Sequence, residues 1–208
     1  MKKLFYTLIL TAVSGWAHAQ KFNFEVKIGG GLASQKINDP TVIKSDQIRV
    51  FNATFLAGYA LPHHFGLETG VCYMPKGTVI TQDAITTTPH INYIEVPLLL
   101  VKKFTFQDLG RFTLGIGGYH AIGISGHYSY ETPGSETKNT LKFGDAYDVQ
   151  KTDDGLRFLT GFELKNHILF NLNYDCGLKN VASQPLKDTG TSSIHNKLVY
   201  LTLGYSFY

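Results

Sequence analysis

The sequence predicts an all-β fold: a closed, antiparallel, up-and-down transmembrane β-barrel of eight strands. Three observations carry that reading. Eight segments show apolar residues with a period of two over about nine to eleven residues, the length of a tilted strand crossing a bilayer. The face opposite the apolar one is mostly Gly, Asn, Thr, Ser and Ala, whereas a soluble barrel would need Lys, Glu and Asp to meet the water outside it. Connections alternate between long polar stretches and short turns, so long and short ends gather on opposite rims. At 208 residues, 43% hydrophobic and 17% charged, the chain fits one domain and is too apolar for disorder. Its 21 Gly, 12 Tyr and 14 Phe suit strands that approach closely and carry aromatic side chains.

Residues 1–19 combine Lys2-Lys3, an apolar run from Leu4 to Val13, and Ala17-His18-Ala19, the pattern of a cleaved secretory leader. The mature chain is expected to start at Gln20 and to form one barrel domain over 20–208. The apolar run is too short to span a bilayer, and no cysteine follows the cleavage point to carry a lipid. Setting aside Lys2 and Lys3, the 19 basic residues become 17 against 16 acidic ones, which implies no polyanionic partner.

The first strand, 22–33, sets Phe22, Phe24, Val26, Ile28 and Leu32 against Asn23, Glu25, Lys27, Gly29 and Gly31. The polar stretch 34–48 with Asn38-Asp39-Pro40 reads as a loop. A second strand, 49–61, alternates Phe51, Ala53, Phe55 and Tyr59 with Asn52, Thr54 and Gly58, and a short Pro62-His63-His64 turn leads to a third from Phe65 to Tyr73, making a hairpin. After a loop at 75–92, the fourth strand, 93–104, contains Pro97, which removes a ladder hydrogen bond and predicts a bulge or an unpaired position there. The fifth, 111–130, puts Phe112, Leu114, Ile116, Ile122, Ile124, Tyr128 and Tyr130 outward and Thr113, Gly115, Gly117, Ala121, Gly123 and Ser125 inward. A charged loop, 131–154, precedes the sixth strand, 155–165. Asn166 then turns the chain into the seventh, 168–178. A last loop, 179–196, leads to Val199, Leu201, Leu203, Tyr205 and Phe207 on one face of the closing strand, with Tyr208 following.

In lipid every backbone polar group needs a partner, so the eighth strand is expected to close on the first. An even strand count puts both termini on the short-turn, periplasmic side and the long loops outside the cell. Two aromatic girdles are expected, with Phe65, Phe104, Phe112, Tyr205 and Phe207 near the short turns and Phe51, Tyr73, Tyr128 and Phe158 near the long loops. Export permits a disulfide, but Cys72 shares the inner parity with Glu68 and Gly70 while Cys176 shares the outer one with Leu172 and Tyr174. Opposite faces cannot bridge, so two free thiols are expected.

The octapeptide Tyr93-Ile94-Glu95-Val96-Pro97-Leu98-Leu99-Leu100 resembles the Tyr-hydrophobic-Glu-hydrophobic-Pro-Leu-Leu-Leu strand of the PorT-like outer-membrane β-barrel family, common in the Bacteroidetes. The resemblance extends over the mature chain through its Gly-rich strands and aromatic C-terminus. It implies an integral outer-membrane barrel without catalytic residues to carry over. Some members of that family take part in protein secretion, so an accessory role in secretion is one implied alternative.

Eight strands leave an interior that side chains can fill. The inward parity collects Glu25, Lys27, Glu68, Glu95, Arg157, Glu163 and Asp175, with Asn52, Asn171, Asn173, Tyr119 and Tyr200 among them. Charges of both signs predict an ion-paired plug; a narrow channel for small solutes or protons is the sharper alternative. His127 and Ser129, with Glu131 on the same parity, superficially resemble the His-x-Ser arrangement of outer-membrane lipid A deacylases, but their surroundings differ and parity points both inward. His120 falls on the outward face, where an imidazole in lipid is costly, so a local bulge turning it inward is expected.

No enzyme is expected. No cofactor or metal is expected either: His63-His64 lacks a carboxylate or thiol nearby, and the glycine runs lie inside strands with no helix behind them. Nucleic acid is excluded as a partner by the absence of basic residues clustered with exposed aromatics. The expected partners are outer-membrane lipid and an envelope or extracellular protein met through 34–48, 75–92, 131–154 and 179–196.

Overall fold

The computed structural model describes residues 21–40, 42, 44–82, 85–106, 109–132 and 135–207. The predicted leader and Tyr208 lie outside the described residues. One antiparallel sheet contains β1 (Phe22–Asn38), β2 (Lys44–Asp46), β3 (Ile48–Ala60), β4 (Phe65–Gly77), β5 (Val79–Gln82), β6 (Ile85–Phe106), β7 (Gly110–Thr132), β8 (Ser135–Thr140), β9 (Thr152–Leu164), β10 (Ile168–Gly177) and β11 (Ser193–Phe207). A helix, α1 (Gln184–Asp188), lies in the last long connection. Eight of these strands are the staves of the barrel; β2, β5 and β8 are short additions at the long-loop rim. The β6–β7 pairing and the β1–β11 pairing complete the ring, the latter running from Phe24↔Phe207 to Asn38↔Ser193.

The register fixes the shape. Stepping across neighbouring strands from Arg49 leads through Leu32, Val199, Tyr174, Phe158, Ile116, Leu100 and Leu67 and returns to β3 at Tyr59, ten residues further along. With about 3.3 Å per residue and about 4.8 Å between strands, that shear tilts the staves by about 40°. The outward run on β1 from Phe22 to Leu32 then covers about 25 Å of depth, the height of a lipid-facing band. Its side chains are exposed on every stave, Leu201 and Leu98 most among the mid-stave leucines. Such a continuous apolar surface is intolerable in water and required in a bilayer.

Composition marks 34–48, 75–92, 131–154 and 179–196 as loops, yet much of the first three is strand, whereas 179–196 is strand only from Ser193. β1 runs on to Asn38, β4 to Gly77, and β6 starts at Ile85 rather than Tyr93. Beyond the lipid band the outer face no longer meets acyl chains and the inner face takes up apolar residues such as Ile91 and Ile194, so the apolar-out alternation ends while backbone pairing continues. The hairpin continuations β5–β6 and β7–β8 are of this kind.

Pro97 does sit at an unpaired position: the β4–β6 ladder skips from Thr69↔Leu98 to Cys72↔Glu95, and the Thr69 hydroxyl donates to the Pro97 carbonyl at 2.7 Å. The bulge lies elsewhere. Asn92 faces Ser125 and Tyr93 faces Gly123, leaving Ile124 as an extra residue on β7. One extra residue inverts the facing of everything beyond it. Tyr128 and Tyr130, expected outward, therefore turn inward at the long-loop end, while His127 and Ser129, expected inward, lie on the opposite face, where His90 stacks on His127 at 4.9 Å. The long-loop girdle loses Tyr128 for the same reason. The short-turn girdle is continuous, with Phe22 against Tyr59 at 5.0 Å, Phe104 against Phe112 at 6.3 Å and Tyr205 against Phe207 at 4.9 Å.

The bulge does not turn His120 inward. His120 remains on the outer face, 54% exposed, with Asp154 at 2.5 Å and Lys179 at 3.5 Å from that same carboxylate. The three lie at the long-loop edge of the lipid band, where ionic partners relieve an imidazole that lipid alone would penalise. Cys72 is buried in the lumen and Cys176 sits on the outer wall, both free.

In the β3–β4 turn His63 and His64 both adopt left-handed backbone, with φ of 61° and 64°. That conformation suits a tight hairpin but strains a residue with a Cβ. Replacing His64 by Gly should raise unfolding free energy by about 0.5–1 kcal/mol in a urea titration of the lipid-reconstituted protein; a decrease would mean the imidazole contributes more than its strain costs.

Candidate functional site

Every residue of the predicted lumen network lies inside the barrel and is nearly inaccessible: Glu25, Lys27, Glu68, Glu95, Arg157, Glu163 and Asp175. They form two clusters. Toward the long-loop end, Arg157 holds Asp175 through two hydrogen bonds of 2.7 Å, from Nε and Nη2, and also reaches Glu95. Lys76 bridges Glu95 at 3.1 Å and Asp153 at 2.9 Å, with its ammonium 4.1 Å from the Tyr119 ring centroid. Asn196 donates to Asp153 at 3.0 Å and receives a bond from Gln35 at 2.9 Å. Toward the short turns, Lys27 pairs with Glu25 at 2.6 Å, Lys103 lies 3.6 Å from both Glu25 and Glu68, and Arg111 pairs with Glu163 at 2.6 Å.

Lys76 and Asp153 are central to the first cluster, although the alternating pattern leaves both outside the expected strands. Both continue an inward parity already recognised, Lys76 after Cys72 and Met74, and Asp153 before Gly155 and Arg157. Ending β4 at Tyr73 and starting β9 at Gly155 hid them. The arrangement is an interlocked plug in which each charge has an opposite neighbour, the condition under which buried ions are tolerated. The void between the clusters, edged by Lys27, Thr54, Arg157 and Tyr200, is about 10 Å³, room for one water at most.

Above the plug the long-loop mouth opens into a cavity of about 350 Å³. Gln35, Ile91 and Ile194 form its floor, and Tyr128, Tyr130 and Tyr147 line its sides. The segment 141–151 folds over this mouth because Leu141 and Val149 pack into a buried cluster with Ile91, Tyr93 and Tyr119. Phe143 lies on Gly123 so closely that a Cβ there would come within 2.4 Å of the ring. The same segment is tied to α1 by a Ser183 hydroxyl donating to the Asp148 carbonyl at 2.9 Å and by the Gln184 amide donating to the Asp145 carbonyl at 2.9 Å.

Two carboxylates, Asp39 and Asp148, also line the mouth. Asp148 accepts the Lys142 amide at 2.6 Å, and Asp39 accepts the Thr191 hydroxyl at 2.5 Å. Burial, and then the Asp148 charge, push the Tyr128 and Tyr130 phenols above their ordinary pKa. Both therefore stay protonated. Two larger cavities, of about 560 and 630 Å³, are grooves between outward side chains such as Leu100, Ile116 and Leu172, or Ile28, Phe170 and Leu203. They lie on the lipid-facing wall, open to the acyl chains of a bilayer.

A closed barrel with an apolar belt, an aromatic girdle and an ion-paired interior defines an integral membrane protein of the β-barrel class. The family model described as "Outer membrane protein beta-barrel domain" matches residues 18–183; the chain belongs to that family, and its location is the outer membrane. No curated protein matches the sequence. Among solved structures the chain is similar to Ail, the attachment invasion locus protein of Yersinia pestis, at 13% identity, covering 90% of this chain and 99% of that one with a TM-score of 0.46. It is similar also to OprG of Pseudomonas aeruginosa, at 14% identity over 88% and 96% with a TM-score of 0.47. The Neisserial surface protein NspA gives 14% identity over 88% and 97% with a TM-score of 0.44.

Proposed function

We propose that this protein is a plugged outer-membrane barrel that works as a binding protein at its long-loop end, with that end facing the cell exterior and the termini in the periplasm. The observation that carries the reading is the combination of a lumen filled by paired charges with a concave mouth built on strands that outrun the lipid band. A rigid stave assembly holding a shaped mouth is how a scaffold presents a recognition surface. The rims at 34–48, 75–92, 131–154 and 179–196 are where an envelope or extracellular protein would meet it, and the wall below meets outer-membrane lipid.

The PorT-like reading rests on the octapeptide at 93–100, and this barrel gives its polar members work. Glu95 joins both cations of the long-loop cluster, Tyr93 lies under the mouth, and Pro97 marks the interrupted ladder. In planar bilayers the purified protein should give no conductance above that of the empty membrane. Stable unitary currents would overturn the plugged reading in favour of a small-solute channel.

A further inference from the structure

We propose that the mouth cavity is a binding site for an organic ammonium compound with an apolar or aromatic body. The inference rests on the reading that the protein acts by binding at this end and names the ligand chemistry of that site.

Three features converge on it. First, the volume of about 350 Å³ falls in the range of small-molecule sites, and the plug beneath prevents it from being the entrance to a pore. Second, its walls are apolar or aromatic: Ile37, Ile80, Ile91, Val149, Leu186 and Ile194 take up an apolar body. Third, its charge is of one sign. Asp39 and Asp148 line it, and among the described residues lining it there is no lysine, arginine or histidine. The Asp148 carboxylate, with no base among the described lining residues, repels anions and favours a cation.

The tyrosines set the kind of cation. Tyr128 and Tyr130 have ring centroids 5.9 Å apart, and Asp148 acts on both phenols. Aromatic faces beside a carboxylate are the arrangement that holds ammonium groups through cation–π attraction and charge together. A bare metal ion would find oxygen ligands too few, and no group of three or more His, Cys, Asp or Glu able to hold a metal occurs among the described residues. The site exists because of the bulge at Ile124. Without that extra residue Tyr128 and Tyr130 would face away from the mouth.

The test uses the protein in lipid nanodiscs and three indole probes of similar size: tryptamine, a cation; tryptophol, neutral; and indole-3-acetate, an anion. Calorimetric titration, corrected with empty nanodiscs, should show tryptamine binding at least tenfold tighter than tryptophol, and indole-3-acetate weakest. Asp148→Asn keeps an acceptor for the Lys142 amide, so the loop stays in place. It should weaken tryptamine about tenfold and leave tryptophol unchanged. Heat-modifiable gel mobility of the variant shows that the barrel is intact. Equal affinity for tryptamine and tryptophol, no binding of any probe, or an unaffected Asp148→Asn variant would each overturn the proposal. Conductance is recorded on the same preparation: currents there would sink the plugged-barrel reading, whereas silence with no ammonium preference sinks the ligand assignment alone.

Discussion

Replacing Arg157 by alanine should lower the unfolding free energy by about 3–5 kcal/mol, the usual cost of removing one partner from a buried ion pair. The guanidinium is inaccessible, binds Asp175 through two nitrogens and also reaches Glu95. Its loss leaves two carboxylates in the lumen with only Lys76 close to one of them. The penalty arises from those stranded charges, so neutralising one should recover part of it. Asp175→Asn should be costly alone but much less so, or even favourable, when added to Arg157→Ala, with a coupling energy of about 1–3 kcal/mol. Urea titrations in lipid vesicles, followed by the gel mobility of folded and unfolded forms, give all four corners of the cycle. Strict additivity would show that the plug does not act as a connected network.

Leu203→Arg should destabilise the barrel by about 2–4 kcal/mol, and Phe207→Arg by no more than about 1 kcal/mol. Both side chains point outward on β11 and are about half exposed in the isolated chain, so a water-based estimate would treat them alike. They differ in depth. Leu203 faces Phe170 and Ile28 near the middle of the belt, whereas Phe207 pairs with Phe24 at the short-turn girdle, where an arginine can reach the headgroups. The same vesicle titration measures both. Equal costs would place the lipid band somewhere other than the β1 run from Phe22 to Leu32.

The strand interiors were legible because a bilayer on one side and a filled lumen on the other impose a strict two-residue period. Glu25, Lys27, Glu68, Glu95, Arg157, Glu163 and Asp175 could be assigned inward by counting from their apolar neighbours. The same rule placed Cys72 and Cys176 on opposite faces. Where the belt ends, the rule loses its cause. Lys76 and Asp153 sit three positions beyond Tyr73 and Leu156, the last apolar residues that parity could use, and so fall into expected loops.

Sequence alone determined that this chain is an eight-stranded membrane barrel, which strands pair, where its lipid face lies and which charges within the lipid-spanning strands enter its lumen, because period, strand length and composition are local properties. Only the tertiary structure decided which charges meet, since ion pairs such as Lys76–Asp153 depend on register between strands that are not sequence neighbours. Only it revealed that one extra residue at Ile124 turns Tyr128 and Tyr130 into the mouth. A bulge is a property of two strands counted against each other, and neither strand shows it when read by itself.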